Sequence, residues 1–389
     1  MSPPLHLETV TNAAAFAALQ PHWSQLVERA ANASTFLTPE WLLSWWEAYQ
    51  PPAQLHILTV RRGDELVGVA PLMIVREKRL AIPVRCLRFI GDGSSETDHM
   101  DFVLREDLQD PVRAALLDAM ESLPWDLAVF SNVPEQSASA PQLMAWAERL
   151  RYRREQLPVA CPVRTLPDSY EALLATMPSR FRTSVRSTRR KLSAAHLLEF
   201  GLHDDPAGFP DALDTLFVNH ESRWRARGQS GVFVNERRRD FYRRLTQRLH
   251  ERGALRFFFL RLDGRIVAQE YCFAHDGIVY LLQEGFDFEL SRQNVGNALR
   301  GHVFEYLISQ RYRAYDFLAG VSRHKLNWAD ATPNDVTVTI GRSNLRGWLG
   351  FQAPRIVEAL KDRLRPLRDR LRRFSAGNVP DAAPEHPES

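Results

Sequence analysis

The chain is poor in cysteine, in long apolar runs and in excess charge, and each of these absences excludes a class of protein. Only three cysteines occur in its 389 residues, and no two of them form a CxxC pair. This spacing argues against a disulfide framework and against a structural zinc site. No apolar stretch approaches the roughly 20 residues that cross a bilayer, and residues 1–10 lack the pattern of a signal peptide. We therefore expect a cytoplasmic protein that binds no metal.

Length and composition indicate a globular protein with two domains. Hydrophobic residues make up 44% of the chain and charged residues 25%, as in soluble proteins. A chain of 389 residues is too long for one ordinary core. The formal net charge is only +3, so we do not expect a nucleic-acid partner. The composition leaves monomer and dimer equally open.

Residues 255–325 organise the rest of the sequence. Three apolar segments are separated by Asp263-Gly264 and Asp276-Gly277, and Asp-Gly pairs are a strong signal for tight hairpins. A helix is expected to follow as far as Gln310, and then a further strand. The predicted strands are 255–262, 266–273, 278–283 and 314–318.

The segment that leads into this helix has the character of an anion site. It reads Gln293-Asn294-Val295-Gly296-Asn297-Ala298. A glycine-containing turn that enters a helix from a sheet presents unpaired backbone N–H groups and the positive end of the helix dipole, which suits a phosphate. Gly296 allows close approach to the backbone, and Ala298 keeps the first turn uncluttered. Ser291 and Asn294 are candidate caps.

The first part of the chain repeats this plan with an offset of 200 residues. Leu66-Val67-Gly68 aligns with Ile266-Val267-Ala268 after a similar turn, and residues 126–130 parallel residues 316–318. The repeat predicts a diverged duplication rather than a short-period solenoid. Asp110-Pro111 opens the helix of the first copy, and an acidic residue there would repel a phosphate. We therefore expect only the second copy to bind a phosphorylated cofactor.

Three other segments allow either a structural or a functional interpretation. Trp41, Trp45 and Trp46 lie at helical spacing and are expected in a core, with ligand stacking as the alternative. The run from Arg180 to Lys191 is either a solvated helix face or a site for phosphate groups. Residues 351–374 predict a basic amphipathic helix, either solvated or attached to an anionic membrane or an acidic partner. Residues 375–389 are predicted to be a disordered tail.

Several short motifs point to one family. They are His220-x-x-Arg223-Trp224-x-x-x-Gly228, Asp316-Phe317-Leu318-x-Gly320, His324-Lys325-x-x-Trp328, Gly91-Asp92-Gly93 and Asp98-x-x-Asp101. The pattern Gln293-x-x-Gly296-x-Ala298 resembles the acyl-CoA pyrophosphate loop of the GNAT N-acyltransferases. Together the motifs resemble the CelD-like, cellulose-biosynthesis-associated branch of that superfamily, which is distantly related to the FemABX transferases. The resemblance covers roughly residues 5–345.

The resemblance implies an α/β (α+β) fold of tandem GNAT-like domains, each a mixed, largely antiparallel sheet flanked by helices. It implies a degenerate N-terminal domain on the acceptor side at 1–160 and an acyl-CoA-binding domain at 161–350. Acetyl-CoA or another acyl-CoA is the implied co-substrate, and the acceptor is a small-molecule primary amine. An amino sugar or amino acid of a cell-envelope or exopolysaccharide pathway is expected. Backbone N–H groups near Leu281 and Gln283 would hold the donor beside residues 293–298.

Acyl transfer needs a neutral amine, a stabilised oxyanion and a proton for the leaving thiolate. The candidate bases are Glu284, at the end of the third strand, and Glu270, an acid within an apolar strand whose pKa we expect to be raised. For Glu270 the alternative is an inter-strand salt bridge with Arg256 or Arg261.

His324 and Lys325 are the remaining candidate catalytic residues. His324 could donate a proton to the thiolate, and Lys325 could stabilise negative charge or bind a phosphate of the acceptor. Lys325 matches a lysine at the site of the FemABX relatives. The alternative is a solvated pair of loop residues.

The predicted acceptor side combines one helix face with residues from both halves. His220, Arg223 and Trp224 share a helix face, so they line the acceptor groove or simply pack. Asp316 could also orient a neighbour or close a turn. The predicted substrate-binding residues are His220, Arg223, Trp224, Asp98, Tyr280 and Asp316.

Two departures from the family pattern keep other functions open. Val321-Ser322 replaces an acidic pair, and His324 replaces an aromatic residue. A FemABX-like transferase that uses aminoacyl-tRNA is one alternative, with the Arg180–Lys191 run contacting phosphates. A non-catalytic accessory protein of polysaccharide assembly, held at a membrane by residues 351–374, is the other.

Overall fold

The computed structural model describes residues 3–225 and 228–359, with the side chain of Arg223 outside that description. The strands, in chain order, are β1 Leu5–Val10, β2 Ala53–Leu55, β3 Ile57–Arg62, β4 Glu65–Ala70, β5 Leu72–Arg79, β6 Ile82–Phe89, β7 Val103–Leu104, β8 Leu127–Pro134, β9 Arg153–Ala160, β10 Val163–Thr165, β11 Leu198–Leu202, β12 Leu255–Leu262, β13 Arg265–His275, β14 Ile278–Phe286, β15 Ala314–Asp316 and β16 Asn334–Gly341.

Helices follow or precede these strands in both halves. They are α1 Ala13–Ala18, α2 Gln20–Val27, α3 Pro39–Tyr49, α4 Gln109–Ser122, α5 Ser139–Arg149, α6 Tyr170–Ala175, α7 Ser179–Ala195, α8 Phe209–Arg225, α9 Glu236–Glu251, α10 Val295–Ser309, α11 Arg323–Trp328 and α12 345–359. Every helix within the described ranges is too short or too polar to span a membrane.

The two halves share one strand plan, as the repeat in the sequence predicts. The second half forms a sheet in the order β10-β15-β14-β13-β12-β11, in which only β14 and β15 are parallel. The first half forms the sheets β1-β3-β4-β7 and β2-β5-β6-β8-β16-β9, and its parallel pair is β6 with β8. In each half one helix, α4 or α10, connects the two parallel strands. The tandem, mixed and largely antiparallel architecture is therefore confirmed.

One strand crosses between the halves. The sequence places the alternating residues 336–340 in the second domain, but β16 pairs with β8 and β9 of the first half. The chain thus leaves the first half after β9 and returns to it through β16. The boundary expected at residue 350 is wrong for this strand, because its buried face completes the core of the first sheet.

The second sheet is covered on both faces. Phe257 packs in the core that includes α8 and α9, whereas its neighbour Phe258 packs in the core that includes α7 and α10. Successive side chains of a strand point to opposite faces, so a sheet buried on both sides requires continuous apolar runs such as Phe257-Phe258-Phe259. The core under α8 and α9 continues into the first half.

Helix α3 joins the halves; Trp41 and Trp45 are buried as predicted, whereas Trp46 is only partly buried. Thr38 caps the helix by accepting a hydrogen bond from the Trp41 backbone N–H. Trp41 and Trp45 are buried, and each indole N–H donates to a hydroxyl group of the 94–97 loop. Helix α9 packs against α3, and Arg248 reaches Glu47 across that contact at 3.0 Å. The two halves therefore meet in a packed, ion-paired interface.

The basic C-terminal helix begins earlier than predicted. Helix α12 starts at residue 345, and Phe351 packs against Val84 and Leu127 of the first half. Residues 360–374 of the predicted helix and the predicted tail at 375–389 lie outside the described residues. Attachment of this helix to a membrane or an acidic partner stays a prediction.

Candidate active site

The strands β14 and β15 separate beside the predicted donor site. Their pairing covers only Ile278–Tyr280 of β14. Beyond Tyr280, no other described strand pairs with the edge of β14 that faces β15. On its other edge β14 contains one extra residue, because Cys272 faces Leu281 while Tyr271 faces Gln283. Such a bulge bends a strand and leaves a residue unpaired. The result is a β14/β15 gap at Leu281–Glu284, where backbone amide groups have no strand partner on one side.

Helix α10 begins at the edge of the gap. Asn294 adopts a left-handed backbone with φ 54°, which turns the chain from the preceding loop into the helix. Asn294 takes the N-cap position that the sequence suggests, but in the described part of the chain its side chain makes no capping hydrogen bond. Val295 and Ala298 are buried, whereas Asn297 accepts a hydrogen bond from the Trp328 indole at 3.1 Å.

Gly296 has room around its Cα. A Cβ atom built there would lie 3.7 Å from the Phe286 ring, which is an ordinary contact. A side chain at this position would therefore point into the space beside the helix start without displacing the protein.

A groove of about 400 Å³ extends from this helix start along α7. Its lining is rich in hydroxyl and cationic groups. The lining residues are Ser184, Ser187, Thr188, Lys191, Leu192, Ala195, Arg292, Gln293 and Asn294. Hydroxyl groups with a lysine and an arginine form a surface that suits phosphate oxygens.

A buried ion-paired cluster lies behind the gap. The Arg300 side chain is fully buried; its Nε donates to Glu270 at 2.6 Å and its Nη2 donates to Glu284 at 2.8 Å. The Tyr315 hydroxyl donates to the second oxygen of Glu270 at 2.7 Å. We call these four residues the Arg300 cluster. Burial raises the pKa of Glu270, while the charge of Arg300 opposes that shift.

The salt-bridge partner expected for Glu270 is wrong. Arg256 donates to the Tyr312 hydroxyl and Arg261 pairs with Glu199, so neither reaches Glu270. Glu270 points to the face covered by α10, and the cation comes from that helix. The sequence signal was available, because Arg300 is the single arginine, with no lysine, in the largely apolar run from Val295 to Phe304.

His324 and Lys325 lie on α11, on the open side of the Arg300 cluster. His324 Nε2 is 3.5 Å from a Glu284 oxygen, and that carboxylate is 24% exposed. Lys325 Nζ donates to the backbone carbonyls of Leu318 and Ala319, at 3.2 and 2.9 Å. Burial lowers the pKa of Lys325, while neighbouring carboxylates oppose that shift.

A second polar cluster lies where the halves meet. His99 of the first half donates Nε2–H to Asp316 of β15 at 3.2 Å, and its Nδ1 lies 2.9 Å from Asp335 of β16. Burial disfavours the charged ring, but these two carboxylates raise the pKa of His99 well above its usual value. Burial raises the pKa of neighbouring Asp98 to about 6, and its oxygens accept from Asn132 and from the Ala319 N–H.

Other residues that were predicted to bind the acceptor make packing contacts in the structure. Tyr280 stacks on Phe273 with 5.1 Å between ring centroids and is largely buried. The Trp224 indole donates to His220 Nε2 at 3.0 Å, and His220 packs against Phe233. Asp316 closes the turn at Leu318 through its other oxygen. The Arg223 side chain lies outside the described residues, and an acceptor role for this set stays a prediction.

The arginine run on α7 is only partly solvated. Arg186 pairs with Glu171, and Arg189 pairs with Glu305 of α10 at 2.5 Å. Arg190 and Lys191 are exposed. The run therefore divides into structural ion pairs and cations that remain at the surface.

Sequence reasoning missed His99, Asp335 and Arg300 as members of these clusters. His99 lies inside the Asp98-x-x-Asp101 motif, so attention to its middle residues could have found it. No local sequence pattern identifies Asp335, because it meets its neighbours only when β16 pairs with the sheet of the first half.

The parallel strand pair β14/β15 separates beside a glycine-containing helix start, within one of two similar units. Residues 179–326 match the family model described as an acetyltransferase (GNAT) domain, so the second half contains a GNAT-type domain. No curated protein sequence matches the chain.

Solved structures share the whole architecture. FemX superposes with a TM-score of 0.56 and 11% identity, over 86% of this chain and 96% of that chain. The C-terminal domain of a putative lysylphosphatidylglycerol synthetase from Agrobacterium fabrum gives 0.51 and 11%, over 88% and 97%. L-PGS from Bacillus licheniformis gives 0.50 and 12%, over 87% and 96%. At such identities the similarity is one of fold.

Proposed function

We propose that the protein is an acyl-CoA-dependent N-acyltransferase that moves an acetyl or other acyl group to a primary amine. The acceptor class we propose is an amino sugar or amino acid of a cell-envelope or exopolysaccharide pathway, as in the CelD-like branch. The observation that carries the proposal is the β14/β15 gap beside the start of α10, within the segment that matches the GNAT model.

The donor would be held by backbone groups and by the α7 groove. Backbone N–H groups of the first turn of α10 and the dipole of this 15-residue helix favour a diphosphate. Gly296 leaves the approach free of side-chain atoms. Lys191 and Arg292 supply positive charge along the groove for further phosphate oxygens.

The reaction would take place in the gap. The bound donor supplies a thioester, and backbone N–H groups at Leu281–Gln283 would stabilise negative charge on its carbonyl oxygen. Glu284 would take a proton from the incoming ammonium, so that the neutral nitrogen bonds to the carbonyl carbon and the carbon–sulfur bond breaks. His324, within 3.5 Å of Glu284, would donate a proton to the leaving sulfur and accept the second proton of the nitrogen as the amide forms.

Lys325 would act through position and charge. Its two backbone hydrogen bonds fix the 318–319 turn, which also carries the Ala319 N–H bonded to Asp98. Its charge interacts with Asp98 and Glu284, so it joins the two polar clusters. We expect it to favour an anionic group near the reacting atoms.

Acetyl-CoA binding tests the donor site. Millimolar acetyl-CoA should raise the melting temperature of the full-length protein, and Gly296→Asp should abolish the rise by placing a negative charge where the diphosphate binds. Gly296→Asn, of similar size but neutral, should retain part of the rise.

Gly208→Asp is the matched control for this experiment. Gly208 precedes α8, and a Cβ there meets no atom within 4 Å, so the variant adds the same charge at another helix start of the same half. A wild-type protein that shows no shift, or a shift that Gly296→Asp leaves intact, would contradict the donor site. Release of free CoA thiol against a panel of amino sugars and amino acids then identifies the acceptor.

A second candidate is the aminoacyl-tRNA-dependent transferase implied by the resemblance to FemABX proteins. The similarity in fold to FemX and the exposed cations of α7 favour it. Such an enzyme would show no thermal shift with acetyl-CoA but would bind aminoacyl-tRNA with a strong salt dependence. An accessory protein without catalysis would respond to neither donor.

A further inference from the structure

The crossing of the chain between its halves brings together three kinds of metal-ligating atom. A ring nitrogen of His99, Sγ of Cys161 and a carboxylate oxygen of Asp335 all lie within 4.8 Å of one another. Cys161 follows β9, where the chain leaves the first half, and Asp335 lies in β16, where the chain returns. The three residues are distant in sequence, so motif spacing does not predict a metal site here.

The His99 ring is oriented as a metal ligand. Its Nδ1 lies 2.9 Å from Asp335, while Nε2–H donates to Asp316 at 3.2 Å. Metal-bound histidines commonly donate the opposite ring N–H to a carboxylate, which fixes the tautomer and makes the ring a better ligand. The His99 backbone is also held at φ 47°, in the left-handed region that non-glycine residues rarely occupy.

The surroundings of Cys161 disfavour a bare thiolate, so its deprotonation would need a bound cation. The thiol is buried, and burial together with the charges of Asp335, Asp98 and Asp316 raises its pKa. A metal ion removes the thiol proton outright.

We propose that His99, Cys161 and Asp335 bind a zinc ion at the junction of the two halves, with Asp316 as the positioning residue for His99. A mixed set of thiolate, imidazole and carboxylate ligands favours Zn²⁺ over hard cations. Bond lengths of about 2.0–2.3 Å require ligand atoms roughly 3.3–3.7 Å apart. The present atoms lie within 4.8 Å of one another, so the side chains would adjust on binding.

Three protein ligands leave a fourth position at the ion. The His99 side chain is 15% exposed, so the site reaches solvent on that side, whereas Asp335 and Cys161 are buried. A water molecule or a substrate atom completes the tetrahedron there. The ion also links the two halves. This inference is independent of the proposed acyl transfer, which uses no metal.

Cobalt substitution of the full-length protein tests the site. After treatment with a chelator, Co²⁺ should bind with a stoichiometry of about one and give intense tetrahedral d–d bands with a sulfur-to-cobalt charge-transfer band. Cys161→Ser should remove the charge-transfer band, and Cys86→Ser, another buried cysteine far from the cluster, should keep it. Elemental analysis should find about one zinc per chain in protein purified without chelator.

Asp316→Asn supplies a readout that misfolding would not produce. It keeps all three ligands but weakens the orientation of His99, so Zn²⁺ affinity should fall by about 10–100-fold at unchanged stoichiometry. Absence of bound cobalt in the wild type, or a charge-transfer band that survives Cys161→Ser, would overturn the proposal. The acetyl-CoA shift is measured separately on chelated protein, so failure of one proposal leaves the other standing.

Discussion

Removal of the Arg300 side chain should be among the most destabilising single changes in the second half. Arg300 is fully buried and neutralises Glu270, which is 2% exposed, and Glu284. Arg300→Met fills a similar volume but leaves Glu270 as a buried charge without its cation. Loss of one partner of a buried pair costs about 3–5 kcal/mol. For a unit of this size that corresponds to a fall in melting temperature of roughly 6–20 °C.

A double variant that combines Arg300→Met with Glu270→Gln tests whether the buried charge causes the loss of stability. Glutamine keeps an acceptor for the Tyr315 hydroxyl but carries no charge. In the wild-type background Glu270→Gln should destabilise, since Arg300 loses one carboxylate. In the Arg300→Met background the same change should stabilise the protein, because it removes a buried carboxylate charge that has lost its cation. Differential scanning calorimetry of the four proteins measures this reversal of sign.

The pH dependence of Arg300→Met follows from the same reasoning. A carboxyl group whose folded pKa is raised contributes stability that is present below its unfolded pKa of about 4.5 and is lost as pH rises through the folded value. The deficit of Arg300→Met should therefore grow as pH rises above about 4.5.

Arg261→Met is the control, since it breaks an exposed pair with Glu199 and should cost no more than about 1 kcal/mol. Equal losses for Arg300→Met and Arg261→Met would refute the account of the cluster. A double variant less stable than Arg300→Met alone would do the same.

Other predictions concern pH, catalysis and the donor groove. Burial lowers the pKa of His203 and of His302 to about 4, so each contributes stability that is present above about pH 6.5 and lost as pH falls towards 4. His203→Gln should accordingly flatten the acid side of the melting-temperature profile, and an unchanged slope would contradict this. Lys325→Met should lower kcat by roughly 10²–10³-fold while the acetyl-CoA thermal shift persists, as expected for a group that acts on developing charge. Lys191→Glu should raise the KM for acetyl-CoA about fivefold, while Arg190→Glu, exposed on the same helix but outside the groove, should not.

Local patterns predicted the elements that build the candidate site. Asp-Gly turns placed the hairpins of β12, β13 and β14, and the segment at 293–298 placed the start of α10 within two residues. These features are readable because a turn or a helix start depends on a few adjacent residues. The burial of Trp41 and Trp45 followed from spacing in the same way.

Contacts between distant segments could not be read from such patterns. Glu270 was recognisable as an unusual acid in a strand, but its partner came from α10 and not from a neighbouring strand. A strand at the edge of one domain can complete the sheet of another, and the sequence of β16 alternates equally well in either sheet. The position of Asp335 beside His99 depends on that choice.

The crossing of β16 therefore matters for chemistry as well as for topology. Had residues 334–341 stayed in the second sheet, Asp335 would not face His99, and Asp316 would have to hold the ring without a second carboxylate. In the structure, the first half, the crossover after β9 and strand β16 each contribute residues to one point. This point lies next to the turn that Lys325 fixes. The halves of a duplicated fold can thus diverge in their own sites while their junction acquires a set of ligands that neither half carries alone.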